Sequence, residues 1–399
     1  MGIRRNTPPA SNSLSFRLLF RSACARMGGM GLFSKKEKTP AETVVQDVLK
    51  TKKGERAVII ANPETNVIAQ ELYSAFSAEG ARPTLIFQPK KSPMDYTEDA
   101  VIGAIQSEPE IILSISANKL GKDRKAMEHP YSIDVDGKPQ TFDSTFDYLL
   151  SGKKCIRAVW TPGLSEDMFN RTVNIDYRQL GERCQAICRR YEGAVSVHVT
   201  TPSGTDITVG VGGRKGLSDS GDFSAPGSGG NIPAGEVFIS PVVGSCEGKI
   251  VFDGSMTFAG GDAMLASPIE VTVTAGFVSA IKGGEEADRL LKDITAAENE
   301  AASLVAKKKL SEEQGAAYKR NARNIGELGI GLNPAASITG NMLEDEKAFR
   351  TCHFAIGENY DGDAPALIHF DGIVRNPTIA IRYADGSSFL LMEGGELRL

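Results

Sequence analysis

From Ala41 onward the apolar positions alternate between two periods. "AETVVQDVLK" places them three and four apart, as one face of a helix does, and "RAVIIAN" is an unbroken apolar run with the length of a buried strand. "TNVIAQELYSAFSAEG" returns to the helical spacing and closes at Gly80, a residue free to take the left-handed conformation that ends helices; "RPTLIFQ" is a second apolar run. "DAVIGAIQSEP" and "EIILSIS" repeat the unit, and "IRAVWTPG" (Ile156 to Gly163) adds a further strand. Strand–helix–strand repetition at this spacing predicts an α/β fold over residues 37–192, a Rossmann-like parallel sheet covered by helices. A dinucleotide fingerprint needs glycines directly after the first strand, and "NPETN" stands there instead.

The pattern changes after a helix expected over Tyr177 to Tyr191. "AVSVHVTTPSGTDITVGV" alternates apolar and polar residues on both sides of a "PSGTD" turn, which is a hairpin signal, and His198 on it is expected to be structural. "GVGGRKG" (Gly210 to Gly216) follows as a turn. Ser218 to Asn231, rich in Gly, Ser and Asp, predicts a loop, and short strands follow to about Ile281. One strongly polar helix is expected from about Glu285 to Asn324, then strand and loop from Ile325. Residues 193–399 therefore predict an α+β domain with a barrel-like mixed sheet.

The 41% hydrophobic and 24% charged fractions are those of an ordinary globular protein, and a net charge of -5 argues against nucleic acid as a partner. No apolar run reaches the length of about 18 residues that would suggest a membrane span. The six cysteines form no CxxC pair. Cys184 and Cys188 fall on one helix face, which fits reduced thiols and a cytoplasmic protein. Five arginines (Arg4, Arg5, Arg17, Arg21, Arg26) precede the first acid, Glu37, a composition shared with organelle transit peptides. Met27 and Met30 are alternative starts, however, and the expectation is a disordered N-terminal extension over 1–36.

Chemistry concentrates near the C-terminus, where "TCHFAIGENYDGDAPALIHFD" holds two of the four histidines. A strand through "ALIHFDGIV" puts His369 and Asp371 on one face, and imidazole with carboxylate on a rigid strand is half of a metal site. The same alternation turns His353 away from Cys352 and Phe354, and Tyr360 ends the segment. "IGELGIGLNP" sets Glu327 among glycines, where backbone can approach a ligand closely. "NIPAGEVFISP" puts Glu236 at the start of an apolar strand, and a buried carboxylate there needs a partner, most simply a cation.

"NIPAGEVFISP", "NIGELGIGLNP", "ITGNMLEDEKAFRTCHFAIGENY" and "IHFD" together resemble the thermophilic aminopeptidase family, that of aminopeptidases T and S, as "TPSGTDITVGVGGR" resembles its second-domain opening. The resemblance runs from about Glu42 to the C-terminus. It implies a homodimeric metallo-aminopeptidase that releases N-terminal residues from peptide substrates. Two divalent ions (Zn, Co or Mn) would be held by Glu236, Glu327, His353, Tyr360, His369 and Asp371, with Glu327 as the bridging and catalytic carboxylate. In "EDEK", Asp345 or Glu346 would orient His353 and Lys347 would steady the oxyanion, unless the segment is a solvated turn. The chain departs from the family in leaving only eight residues between Tyr360 and His369. A second resemblance competes. Ring-cleaving dihydroxypyridine dioxygenases are similar in fold, and His353, His369 and Asp371 would supply two imidazoles and a carboxylate to a single Fe(II). That reading needs neither Glu236, Glu327 nor Tyr360 as ligands, yet all three are present.

Overall fold

The computed structural model describes residues 37–399 apart from 93 and 136; the extension expected over 1–36 lies outside the described residues. A parallel five-stranded sheet has the order Gly229–Asn231, Arg157–Trp160, Ile111–Ile115, Arg56–Ala61, Arg82–Phe87. Arg56–Ala61 is apolar throughout because both of its faces are covered. Ala57, Ile59 and Ala61 share a core with Ile68, Leu72 and Phe76 of the helix Asn66–Ala78. Val58 and Ile60 share another with Val101 and Ile105 of the helix Asp99–Gln106. The "NPETN" turn ties neighbouring strands together: Asn62 donates to the Gln88 carbonyl at 3.0 Å and accepts from the Ala117 amide at 2.7 Å.

The fifth strand, Gly229–Asn231, comes from beyond the boundary expected near 193, out of a segment expected to be loop. A Cβ on Gly229 would lie 2.6 Å from the Ala158 carbonyl oxygen, so the close pairing requires glycine, the residue that hides a strand from a propensity argument.

The α+β part carries two large antiparallel sheets, and neither closes into a barrel. Eight strands run in the order Phe277–Lys282, Ile269–Thr274, Glu247–Phe252, Asp206–Gly210, Ala194–Thr200, Thr378–Tyr383, Ser388–Glu393, Glu396–Leu397. Seven run Ala263–Met264, Ser255–Met256, His369–Arg375, Thr351–Gly357, Ile325–Gly331, Glu236–Ile239, Leu217–Asp219. Helices cover edges instead of strands closing them: Tyr177–Tyr191 packs on Leu217–Asp219, and Glu285–Ala306 on Phe277–Lys282. The single polar helix expected over 285–324 is two, Glu285–Ala306 and Glu312–Asn321. Lys308 turns left-handed at φ 57, and Ser311 with Gln314 forms a capping box that restarts the helix. His198 is structural, its Nε2 2.8 Å from Asp206 Oδ1 across the expected hairpin.

One face of the seven-stranded sheet is uniformly apolar. Val237, Ile239, Leu328, Ile330, Cys352, Phe354, Ile356, Phe370 and Val374 all point into the core and are buried. Truncating Phe354, fully buried opposite Leu328 and Gly372, should cost about 3–5 kcal/mol. Urea unfolding of Phe354→Ala checks this through a lower midpoint at unchanged slope.

Candidate metal centre

The other face of that sheet carries the polar residues, and the strand register sets their order. Glu236 and Phe238 lie on Glu236–Ile239; Glu327, Gly329 and Gly331 on Ile325–Gly331; His353, Ala355 and Gly357 on Thr351–Gly357; His369 and Asp371 on His369–Arg375. Four adjacent strands thus deliver the predicted donors side by side. The remaining positions of this face are small where side chains must fit. Gly329 pairs with His353, and a Cβ on it would lie 2.0 Å from the His353 Nε2. That glycine makes the space the imidazole occupies.

The two imidazoles approach opposite oxygens of one carboxylate. His353 Nε2 is 3.0 Å from Glu327 Oε1, and His369 Nε2 is 3.5 Å from Glu327 Oε2. His353 Nε2 is also 3.5 Å from Glu236 Oε2, and His369 Nε2 is 3.3 Å from Asp371 Oδ1. Three groups of donors fall within metal-binding reach: Glu236, Glu327 and His353; Glu327, His369 and Asp371; Glu346, His353 and Asp371. The His369 Nδ1 lies 2.9 Å from the Glu358 carbonyl, a hydrogen bond that fixes the ring with Nε2 toward the cluster.

A cation fits these residues. Glu236 Oε2 and Asp371 Oδ1 are buried without a hydrogen-bond partner, a costly state that a metal ion would relieve. Burial would raise the Glu327 carboxyl, yet hydrogen bonds from His353 and His369 hold it down, to about 2. Burial would lower the His353 imidazole, but Glu327 lifts it to about 9. His369 moves the same way against its own burial, raised by Asp371 and Glu327. Without metal, then, the cluster keeps protons on its imidazoles, and a bound cation would take the place of those protons.

"EDEK" is not a solvated turn: Asp345 and Lys347 are buried. Asp345 does not orient His353. It accepts from the Thr339 and Gly340 amides at 2.7 and 2.8 Å and from the Ser255 hydroxyl, tying down a loop, while the His353 Nδ1 has no partner. Glu346 is the member of the pair that joins the cluster, and burial pushes it up to about 8 against the pull of Lys347. Lys347 lies 2.6 Å from Glu236 Oε1, 2.6 Å from Glu346 Oε1 and 3.7 Å from Asp219 Oδ2. Its ammonium is engaged by these three carboxylates. Tyr360 stands beside the centre, 61% exposed, its ring edge-on to His369 at 5.4 Å and tilted against Phe238 at 4.9 Å. Asp219 was not legible in the sequence, because it sits in a polar stretch with no pattern. It pairs with Glu236 across the sheet, and burial pushes its carboxyl up to about 7 although Lys347 pulls it down.

Gly329→Ala should displace the His353 imidazole and weaken Zn(II) or Co(II) binding by about ten- to a hundredfold. Calorimetric titration with far-UV circular dichroism checks it; wild-type affinity in a folded variant would remove His353 from the ligand set.

The comparisons with known proteins agree on this architecture and divide on its chemistry. A solved structure of 2,5-dihydroxypyridine dioxygenase from Pseudomonas putida KT2440 is similar with a TM-score of 0.62 and 16% identity, over 90% of this chain and 96% of that one. Wild-type AmpT from Thermus thermophilus is similar with a TM-score of 0.61 and 17% identity, over 90% and 98%. At such identities the likeness establishes the fold alone. No curated protein matches the chain in sequence. The aminopeptidase resemblance is thus supported at the level of fold. A family model, by contrast, matches residues 165–386, more than half of the chain and a stretch that contains all the donors above. The chain belongs to the family of that model, NicX: 2,5-dihydroxypyridine 5,6-dioxygenase.

Proposed function

We propose that the protein is a metal-dependent hydrolase of amide bonds, an aminopeptidase acting on peptides through two divalent ions. The observation that carries the reading is the position of Glu327 between the two imidazoles, one on each of its oxygens. The donor groups overlap: His353 groups with Glu236 and Glu327 and also with Glu346 and Asp371, and His369 groups with Glu327 and Asp371. Two groups sharing one carboxylate suit a pair of ions. Such a pair supplies an activated water and polarises the carbonyl that is attacked.

The chain's own side chains divide the remaining work. Lys347 holds Glu236 by Oε1 and leaves Oε2 toward the centre. The Glu358 carbonyl fixes His369. A cleft of about 630 Å³, lined by Lys119, Phe258, Asn341 and Leu343, leads to Glu346 and Asp371 and gives a substrate its approach.

Family membership favours a second reading, a ring-cleaving Fe(II) dioxygenase acting on a dihydroxypyridine, and the comparisons lean toward it more than toward the peptidase. Glu327→Gln separates the two, since it keeps the volume and removes the shared charge. In the hydrolase the variant should lose one of two bound ions and about a hundredfold or more of aminoacyl-anilide turnover. Metal analysis with an anilide assay, run beside oxygen uptake on 2,5-dihydroxypyridine with Fe(II), provides the measurement. A wild type that holds one iron, consumes oxygen and cleaves no anilide would establish the dioxygenase reading instead.

A further inference from the structure

A second cavity, of about 420 Å³, opens at the carboxyl ends of the parallel strands Ile111–Ile115 and Arg157–Trp160. Ligands of open α/β sheets gather at that end. Its lining combines two unlike groups of side chains. One is aromatic: Trp160 is half-buried and Phe146 meets it edge-on, with ring centroids 6.0 Å apart. The other carries Lys119 and Lys122 beside the paired hydroxyls of Ser114 and Ser116, 2.8 Å apart. Among the described residues neither lysine is ion-paired with a carboxylate, and the Lys122 ammonium rests 3.6 Å from the Met94 sulfur. Asp147 is the one carboxylate of the lining, so the two ammonium groups leave an excess of positive charge. Nor is the cavity isolated: Asn118, Lys119 and Pro162 line both it and the cleft that reaches Glu346 and Asp371.

We propose that this cavity is a subsite for an aromatic carboxylate at the end of the substrate remote from the metal centre. The ring lies against Trp160 and Phe146, where an aromatic pair adds about 0.5–1.5 kcal/mol to the area it buries. The carboxylate lies on Lys119, at the junction of the two spaces. Resting on the hydrolase reading for the bond that is cut, the inference names the substrate class as short peptides with an aromatic C-terminal residue and a free terminal carboxylate.

The binding step can be tested without that reading, because Trp160 is the single tryptophan of the sequence and its emission reports on the cavity. Titrating the full chain with 3-phenylpropionate should change Trp160 emission saturably, and the neutral amide of the same acid should bind at least about tenfold more weakly. Lys119→Met, a change at an exposed side chain, should abolish the preference for the acid. In the metal-loaded enzyme the acid should also compete with a peptide substrate. Equal binding of acid and amide, or an emission that the acid leaves unaltered, overturns the subsite even if peptides are cleaved. A selective, Lys119-dependent response from a protein that cleaves no peptide keeps the subsite and removes the hydrolase.

Discussion

Five carboxylates crowd one end of a single sheet face, and Lys347 is the permanent cation among them. Asp219, Glu236 and Glu346 surround its ammonium, while Glu327 and Asp371 lie beyond its reach with two imidazoles. Like charges brought together out of water repel strongly, and removing a counter-charge from a buried group costs several kcal/mol. The arrangement is tolerable only with protons or metal ions in the middle. Much of the surrounding structure serves this constraint: the glycine that admits the His353 imidazole, the buried lysine, and the carbonyl that holds His369. The cluster is therefore a liability for folding, and a cation bound there would relieve a repulsion that the chain itself sets up.

The antiparallel sheet makes that strain bearable. Its apolar face is packed with large side chains that leave the strands little room to shift, so the donors opposite cannot relax apart. Because strands alternate, every candidate donor on these strands has a core residue as its sequence neighbour: Glu236 beside Val237, Glu327 beside Leu328, His353 between Cys352 and Phe354, and Phe370 between His369 and Asp371. Packing and ligand geometry are thus two faces of one register. A one-residue slip in any of these strands would exchange them and lose both.

This coupling explains what could be read without coordinates. The helices and apolar strands of the parallel layer follow from periodicity, and His369 with Asp371 follows from alternation along one strand. Glu327 and Glu236 were legible because each is a charge in an apolar or glycine-rich strand, a local contradiction that function resolves. What failed to show was decided by distant contact. The strand Gly229–Asn231 has no strand-forming residue and exists because Ala158 lies against it. "EDEK" reads as solvent-exposed by composition, and distant partners put it inside: the loop at 337–341, Arg171 on Glu344, Ser255 on Asp345 and Glu236 on Lys347. Whether sheets close or stay open depends on helices that cover their edges, which no single strand encodes. The break between the two polar helices was legible in principle, since Ser311 and Gln314 stand at capping-box spacing.

A shared fold does not settle the reaction, since chemistry is set by which donors meet at one point. Here the choice turns on how the carboxylates are divided between proton-bearing partners and open positions. Glu236 gives Oε1 to Lys347 at 2.6 Å and keeps Oε2 unpartnered toward His353; Glu327 gives one oxygen to each imidazole. Glu236 is thereby held at one oxygen and open at the other, whereas Glu327 spans the two imidazoles. Glu236 keeps Lys347 as its counter-ion whatever occupies the centre, so it is its unpartnered Oε2 that calls for a proton or a cation. The economy of charge across the whole face, more than any one side chain, is what suits the centre to a cation.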